Sequence, residues 1–122
     1  MAGRLGHIEL PAQDDERGTA FWSSLFGWAF QDPGVAGMRY HLTQIGDVGA
    51  AVFRSEHGGS GPIVYFTSHD IEADVARVRE LGGRADDKQP IPGIGWFARC
   101  HDTEGNAFSL FEGDQSVPQP EE

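Results

Sequence analysis

Two amphipathic stretches, each closed by glycine and each set between short apolar segments, constrain this chain more than any other feature. In the first, Phe21, Trp22, Leu25 and Phe26 recur at helical spacing after Asp14 or Asp15, either of which can cap a helix, and Gly27 ends it. In the second, Asp70 precedes Ile71, Val75, Val78 and Leu81, and Gly82-Gly83 closes the run. GHIEL (Gly6 to Leu10) alternates as a strand, and Trp28 to Gln31, Met38 to Gln44 and Val48 to Arg54 follow the first helix as strand candidates. A tight Gly46-Asp47 turn joins the last two. IVYFT (Ile63 to Thr67) opens the second half. After its helix come strand candidates at Arg84 to Lys88, Ile94 to Cys100 and Ala107 to Glu112, the last two separated by the Asp102 to Asn106 turn.

The same order of elements thus occurs twice. It predicts two β-α-β-β-β modules, about residues 4–56 and 61–113, with Gly58 to Gly61 as linker and 116–122 as a flexible tail. A chain of 122 residues suits one domain, here 1–115, and 17 glycines argue against long helices and bundles. The fold expected is α+β: two modules forming a curved mixed sheet around a cleft, with the helices on the outer face.

Strand alternation sorts the side chains. Ile8, Leu10, Val64, Phe66, Phe108 and Leu110 supply a helix-facing layer, which leaves His7, Glu9, Ile63, Tyr65, Thr67, Ala107, Ser109 and Phe111 on the other face. A face that mixes aromatic rings with a histidine and a carboxylate suits a pocket lining better than plain core. His7 and Glu9, two apart on one strand, can converge as an acid–base pair or on one ion; the plainer alternative is a histidine held by its neighbouring carboxylate. Phe53, Tyr65, Trp96 and Phe111 are expected as aromatic walls for a flat or cationic ligand, the alternative being that two or three of them simply pack. Ser109 joins the ligand-contacting set. PGIGWFA (Pro92 to Ala98) fails as a dinucleotide fingerprint because a strand follows it. Gly58 to Pro62 lacks the last glycine of a nucleophile elbow, and Cys100 reads as a packed residue.

Charge narrows the partners. Nineteen acidic residues against nine basic ones give a formal charge of −10, a field that repels phosphate backbones and favours a cationic or neutral ligand. Nucleic acid is therefore not an expected partner. No run approaches the roughly 20 apolar residues that span a bilayer, and MAGRLGHIEL has no apolar signal region, so no membrane partner and a cytoplasmic location are expected. The single cysteine excludes an internal disulfide and any cysteine-based zinc site.

With these elements in place, GHIELPAQDDERGTAFWSSLFGW (Gly6 to Trp28), DIEADVARVRELGG (Asp70 to Gly83) and IPGIGWFARCHDTEGNAFSLFE (Ile91 to Glu112) make the chain resemble the vicinal oxygen chelate superfamily. That group includes glyoxalase I, extradiol dioxygenases and the fosfomycin- and bleomycin-resistance proteins. The resemblance implies inward ligand positions for a divalent metal, typically His, Gln or Glu, one on each of four strands. Here they fall at His7, Ile63, Ser109 and near Ala51 or Val52, so only His7 matches and the ligand set is incomplete. No cofactor is therefore expected. The resemblance implies a small-molecule-binding protein of the glyoxalase/bleomycin-resistance type, taking an apolar or aromatic ligand for sequestration or resistance. The alternative is a glyoxalase-like lyase or isomerase using His7 and Glu9, with or without a divalent metal. Free sheet edges make a homodimer the expected assembly.

Overall fold

The computed structural model describes residues 2–32, 39–56 and 61–118. It is α+β, and the elements run β1 (Leu5–Ala12), α1 (Asp15–Phe26), β2 (Tyr40–Ile45), β3 (Val48–Arg54), β4 (Ile63–Thr67), α2 (Ile71–Glu80), β5 (Arg84–Ala85), β6 (Gln89–Ile91), β7 (Gly95–His101) and β8 (Ala107–Gly113). They group into two compact units, one of residues 7–63 and the other of residues 1–6 with 64–122. Met38, Gly58 to Ser60 and the last four residues, all included in expectations above, lie outside the described residues.

In the 7–63 unit, β3 lies between β1, which it meets in parallel, and β2, which it meets antiparallel. The β2–β3 hairpin turns through Gly46, whose positive φ of 57° a side chain would strain. Trp28 to Gln31 does not form the expected strand: only Gln31 pairs, exchanging both backbone hydrogen bonds with Leu42. Helix α1 starts at Asp14, whose carboxylate accepts from Arg17 N at 2.9 Å, a cap worth about 1 kcal/mol. Its aromatic stripe was expected to face the sheet. Instead Phe21, Leu25 and Phe26 are 56–60% exposed, and the rings of Phe21, Trp22, Phe26 and Trp28 pack on one another, with Trp22 and Trp28 stacked at 5.1 Å. The helix meets the sheet through Gly18 instead, where a methyl group would sit 3.2 Å from both Ala12 Cβ and Val52 Cγ1. A residue without a side chain allows that approach.

In the other unit β8 stands between β4, parallel to it, and β7, antiparallel to it; β7 also pairs with β5 and β6. Helix α2 carries Asp70 as its N-cap and buries Ile71 and Val75 against Ala98, Cys100 and Leu110, with Val78, Ala85, Trp96 and Phe108 packed around them. Glu112 Oε1 accepts from Ile71 N at 2.9 Å and so fastens the start of the helix to β8. Alternation holds on β4 and β8: Phe66 and Phe108 lie on the helix side, while Tyr65 and Thr67 stand opposite Ser109 and Phe111 on the other. Val117, expected within the flexible tail, is buried, and its carbonyl accepts from Gly93 N.

Candidate functional site

The chemistry-bearing side chains of the 7–63 unit collect on the face of its sheet away from α1. Strand β1 sends His7 and Glu9 to that face, and the β1–β3 register sets them beside Gly49 and Ala51. From β2, Tyr40 stands directly opposite Phe53 of β3, with the two rings 6.2 Å apart. The Tyr40 hydroxyl links the two β1 side chains: it lies 2.7 Å from His7 Nε2 and donates to Glu9 Oε2 at 2.9 Å. A phenol has one proton. At His7 the Nε2 role follows the tautomer: Nε2–H donates to the Tyr40 oxygen, or a bare Nε2 accepts from the hydroxyl. A continuous hydrogen-bonded line therefore runs from His7 through Tyr40 to Glu9.

Partial burial pushes the His7 imidazole below its ordinary value of 6.5, because the charged form loses water; Glu9 nearby and a backbone hydrogen bond with Gly49 act in the opposite direction and do not cancel the effect. The ring is thus neutral at pH 7. Besides its backbone hydrogen bond, Gly49 leaves clearance for the ring: a methyl group there would lie 3.4 Å from His7 Nδ1.

On the reverse face of the same sheet, Asp15 is 2% exposed. It receives Arg39 Nε at 3.0 Å and meets His41 Nε2 at 2.6 Å. Burial alone would raise its carboxyl pKa; the hydrogen bonds from His41 and Arg39 outweigh that and hold it below the usual carboxylate range.

The expected site residues divide. His7, Glu9 and Phe53 come together, joined by Tyr40, which sequence reasoning missed. In the other unit Tyr65, Ser109 and Phe111 share one face of β4 and β8, with Ser109 buried and Phe111 lining a depression of about 310 Å³ with Thr67, Ser68 and His69. Trp96 is a correction. It stands opposite Glu112 on the helix-facing side, packs against the α2 core, carries Lys88 Nζ 4.1 Å from its ring centroid and donates to Asp114. One residue of register in β7 decides this: Phe97 and Arg99, not Trp96, pair with Phe111 and Ser109. Tyr40 left one signal, an aromatic residue in the strand before the Gly46-Asp47 turn, but only the hairpin register shows that it faces the same way as Phe53.

The residues present do not fit the family's four-ligand metal. Ile63 and Ala51 or Val52 offer no donor, and His7 Nε2 is engaged with Tyr40. Among the described residues no three His, Cys, Asp or Glu side chains gather closely enough to share an ion.

Residues 7–111 match the glyoxalase-like domain family. The chain belongs to that family. A glyoxylase-like domain-containing protein of Didymella fabae is 33% identical to this glyoxalase-like domain over 120 residues, covering 90% of this chain and 94% of the relative. The anthracycline biosynthesis protein DauV of a Streptomyces species is 31% identical over 123 residues, 97% of this chain but 44% of DauV, so the domain spans less than half of that relative. Among solved structures, methylmalonyl-CoA epimerase from Mycobacterium tuberculosis superposes with a TM-score of 0.70 at 16% identity, covering 98% of this chain and 90% of that one. At that identity the likeness concerns the fold. No helix among the described residues is long and apolar enough to cross a membrane.

Proposed function

We propose that this glyoxalase-like domain binds a small, flat, oxygen-bearing aromatic molecule on the His7–Glu9–Tyr40–Phe53 face. One observation carries the reading: a hydrogen-bonded His7–Tyr40–Glu9 line lies directly beside an aromatic ring, so the same face offers polar contacts for hydroxyl and carbonyl groups and a ring for stacking. The similarity to an anthracycline biosynthesis protein supports a polycyclic aromatic ligand. The charge of −10 supports a neutral or cationic one and disfavours a polyanionic acyl-CoA. Binding needs no metal in this reading, and the surroundings are cytoplasmic, with the protein acting as a homodimer in sequestration or resistance.

The experiment is titration calorimetry with a hydroxyanthraquinone on the metal-stripped protein. Saturable one-site binding, weakened in Phe53→Ala, supports the proposal. Binding that Phe53→Ala and Tyr40→Phe leave unchanged overturns it.

The same line favours a second reading as a lyase or isomerase. Glu9 can take a proton from the carbon beside a substrate carbonyl and return it to that carbon or its neighbour, while the Tyr40 hydroxyl holds the carboxylate in place. Proton–deuterium exchange into a bound ketone in heavy water, lost in Glu9→Gln, separates this reading from binding alone.

A further inference from the structure

Tyr40 sits between Arg39 and His41, and alternation sends those two neighbours to the opposite face of the sheet, where both side chains end on one carboxylate. Asp15 takes Arg39 Nε and His41 Nε2 on a single oxygen, Oδ2, and the Arg39 Nη2 reaches Glu16 Oε1 at 3.4 Å. Asp15 itself cannot drift, because it opens α1 immediately after the Asp14 cap and is almost wholly buried. The backbone on both sides of Tyr40 is tied as well: Arg54 N donates to the Arg39 carbonyl at 2.9 Å, and Tyr40 pairs with Phe53. A phenol must reach two partners at 2.7 and 2.9 Å, and it projects from a residue whose two neighbours are both tied to the helix.

We infer that Asp15 is a positioning residue for the candidate site: through Arg39 and His41 it sets the height and direction of Tyr40, and thereby the line between His7 and Glu9. Asp15 touches no ligand in this arrangement and works from behind the sheet. The inference rests on the site proposed above, but its test does not require a ligand. A buried ionised carboxylate is a costly way to fasten a helix to a strand, and apolar packing beneath Ile71 and Val75 does most of that job for α2. What the charged clamp adds is direction, because two hydrogen bonds to one oxygen fix the rotation of the strand as packing does not.

The test follows the histidine ring protons by NMR, with His7 picked out of the five histidines by its loss in His7→Gln. Tyr40→Phe gives the reference change: the imidazolium loses its acceptor, so the His7 midpoint falls further. Asp15→Asn and His41→Gln are expected to move the His7 midpoint in that same direction. Asp14→Ala removes the cap of the same helix without touching β2, so it lowers stability and leaves the His7 midpoint in place. If Asp15→Asn does not fold, His41→Gln, which keeps the carboxylate and its bond to Arg39, carries the comparison. An unmoved His7 midpoint in the folded clamp variants overturns the inference, as does an equal shift in Asp14→Ala, which would make it a matter of stability alone. Failure of hydroxyanthraquinone to bind the wild-type protein counts against the proposed ligand and leaves this readout intact.

Discussion

His7 Nε2 lies 2.7 Å from the hydroxyl of Tyr40, a residue 33 positions further along the chain and two strands away in the sheet. The contact makes the candidate site a hydrogen-bonded network of His7, Tyr40 and Glu9. His7 sits near a carboxylate and is still shifted toward its neutral form, because partial burial, the largest influence on the ring, outweighs the attraction of Glu9.

Removing the bridging hydroxyl is the sharpest test of that network. Tyr40→Phe keeps the ring beside Phe53 and deletes both hydrogen bonds. A net hydrogen bond is worth roughly 1 kcal/mol, so hydroxyanthraquinone affinity should fall about fivefold to tenfold if the ligand uses the polar line. The far-ultraviolet spectrum should be unchanged. Calorimetry on the two proteins side by side measures the difference.

The two faces of β8 give a second contrast. Phe108 is partly buried against the α2 core with its ring 6.1 Å from that of Phe66, and Phe108→Ala should cost about 3 kcal/mol, the low end for a core ring. Phe111, also partly buried, lines an open depression on the other face. Phe111→Ala should cost clearly less, which urea denaturation midpoints of the two variants will read. Equal costs would contradict the observed strand parity.

Acid should destabilise the fold in two stages. His7 has a folded pKa below its ordinary 6.5, so the unfolded chain takes up a proton first and stability declines as pH falls from about 6.5 to the folded midpoint. Asp15 is a carboxylate held below its ordinary 3.8; its contribution is complete above that value and disappears as pH falls through the folded midpoint. Melting temperatures measured from pH 8 to pH 2 should show both declines. His7→Gln should remove the first and Asp15→Asn should flatten the second.

Cys100 should be inert in the native protein. Burial, with Asp86 adding to it and Arg79 opposing it, pushes the thiol up to about 11, and the side chain is 1% exposed. Iodoacetamide at pH 8 should leave the folded chain unmodified and label it in denaturant, as mass spectrometry will record. Fast labelling of the folded protein would contradict the packing of β7 against α2.

Much of this was legible in the chain itself. Period-3.6 and period-2 patterns mark α1, α2 and the stronger strands because each element must bury one stripe or one face, and Val48–Arg54 and Ile63–Thr67 have the expected bounds. The same alternation put His7 and Glu9 together on β1, since residues two apart on a strand cannot avoid sharing a face. What alternation cannot give is phase between strands. Trp96 faces the helix because β7 pairs with β8 in one register and not its neighbour, and a slip of one residue reverses every side chain. Register likewise brought Tyr40 level with Phe53 and within reach of His7 and Glu9. Gly18 was legible as a glycine, but its use as the contact of α1 with the sheet, leaving Phe21, Leu25 and Phe26 exposed, depends on how closely two elements approach. Composition and local pattern determined which elements form and which side chains share a strand face. Only the tertiary structure decided which of those faces meet, because pairing and packing distances depend on residues far apart in sequence.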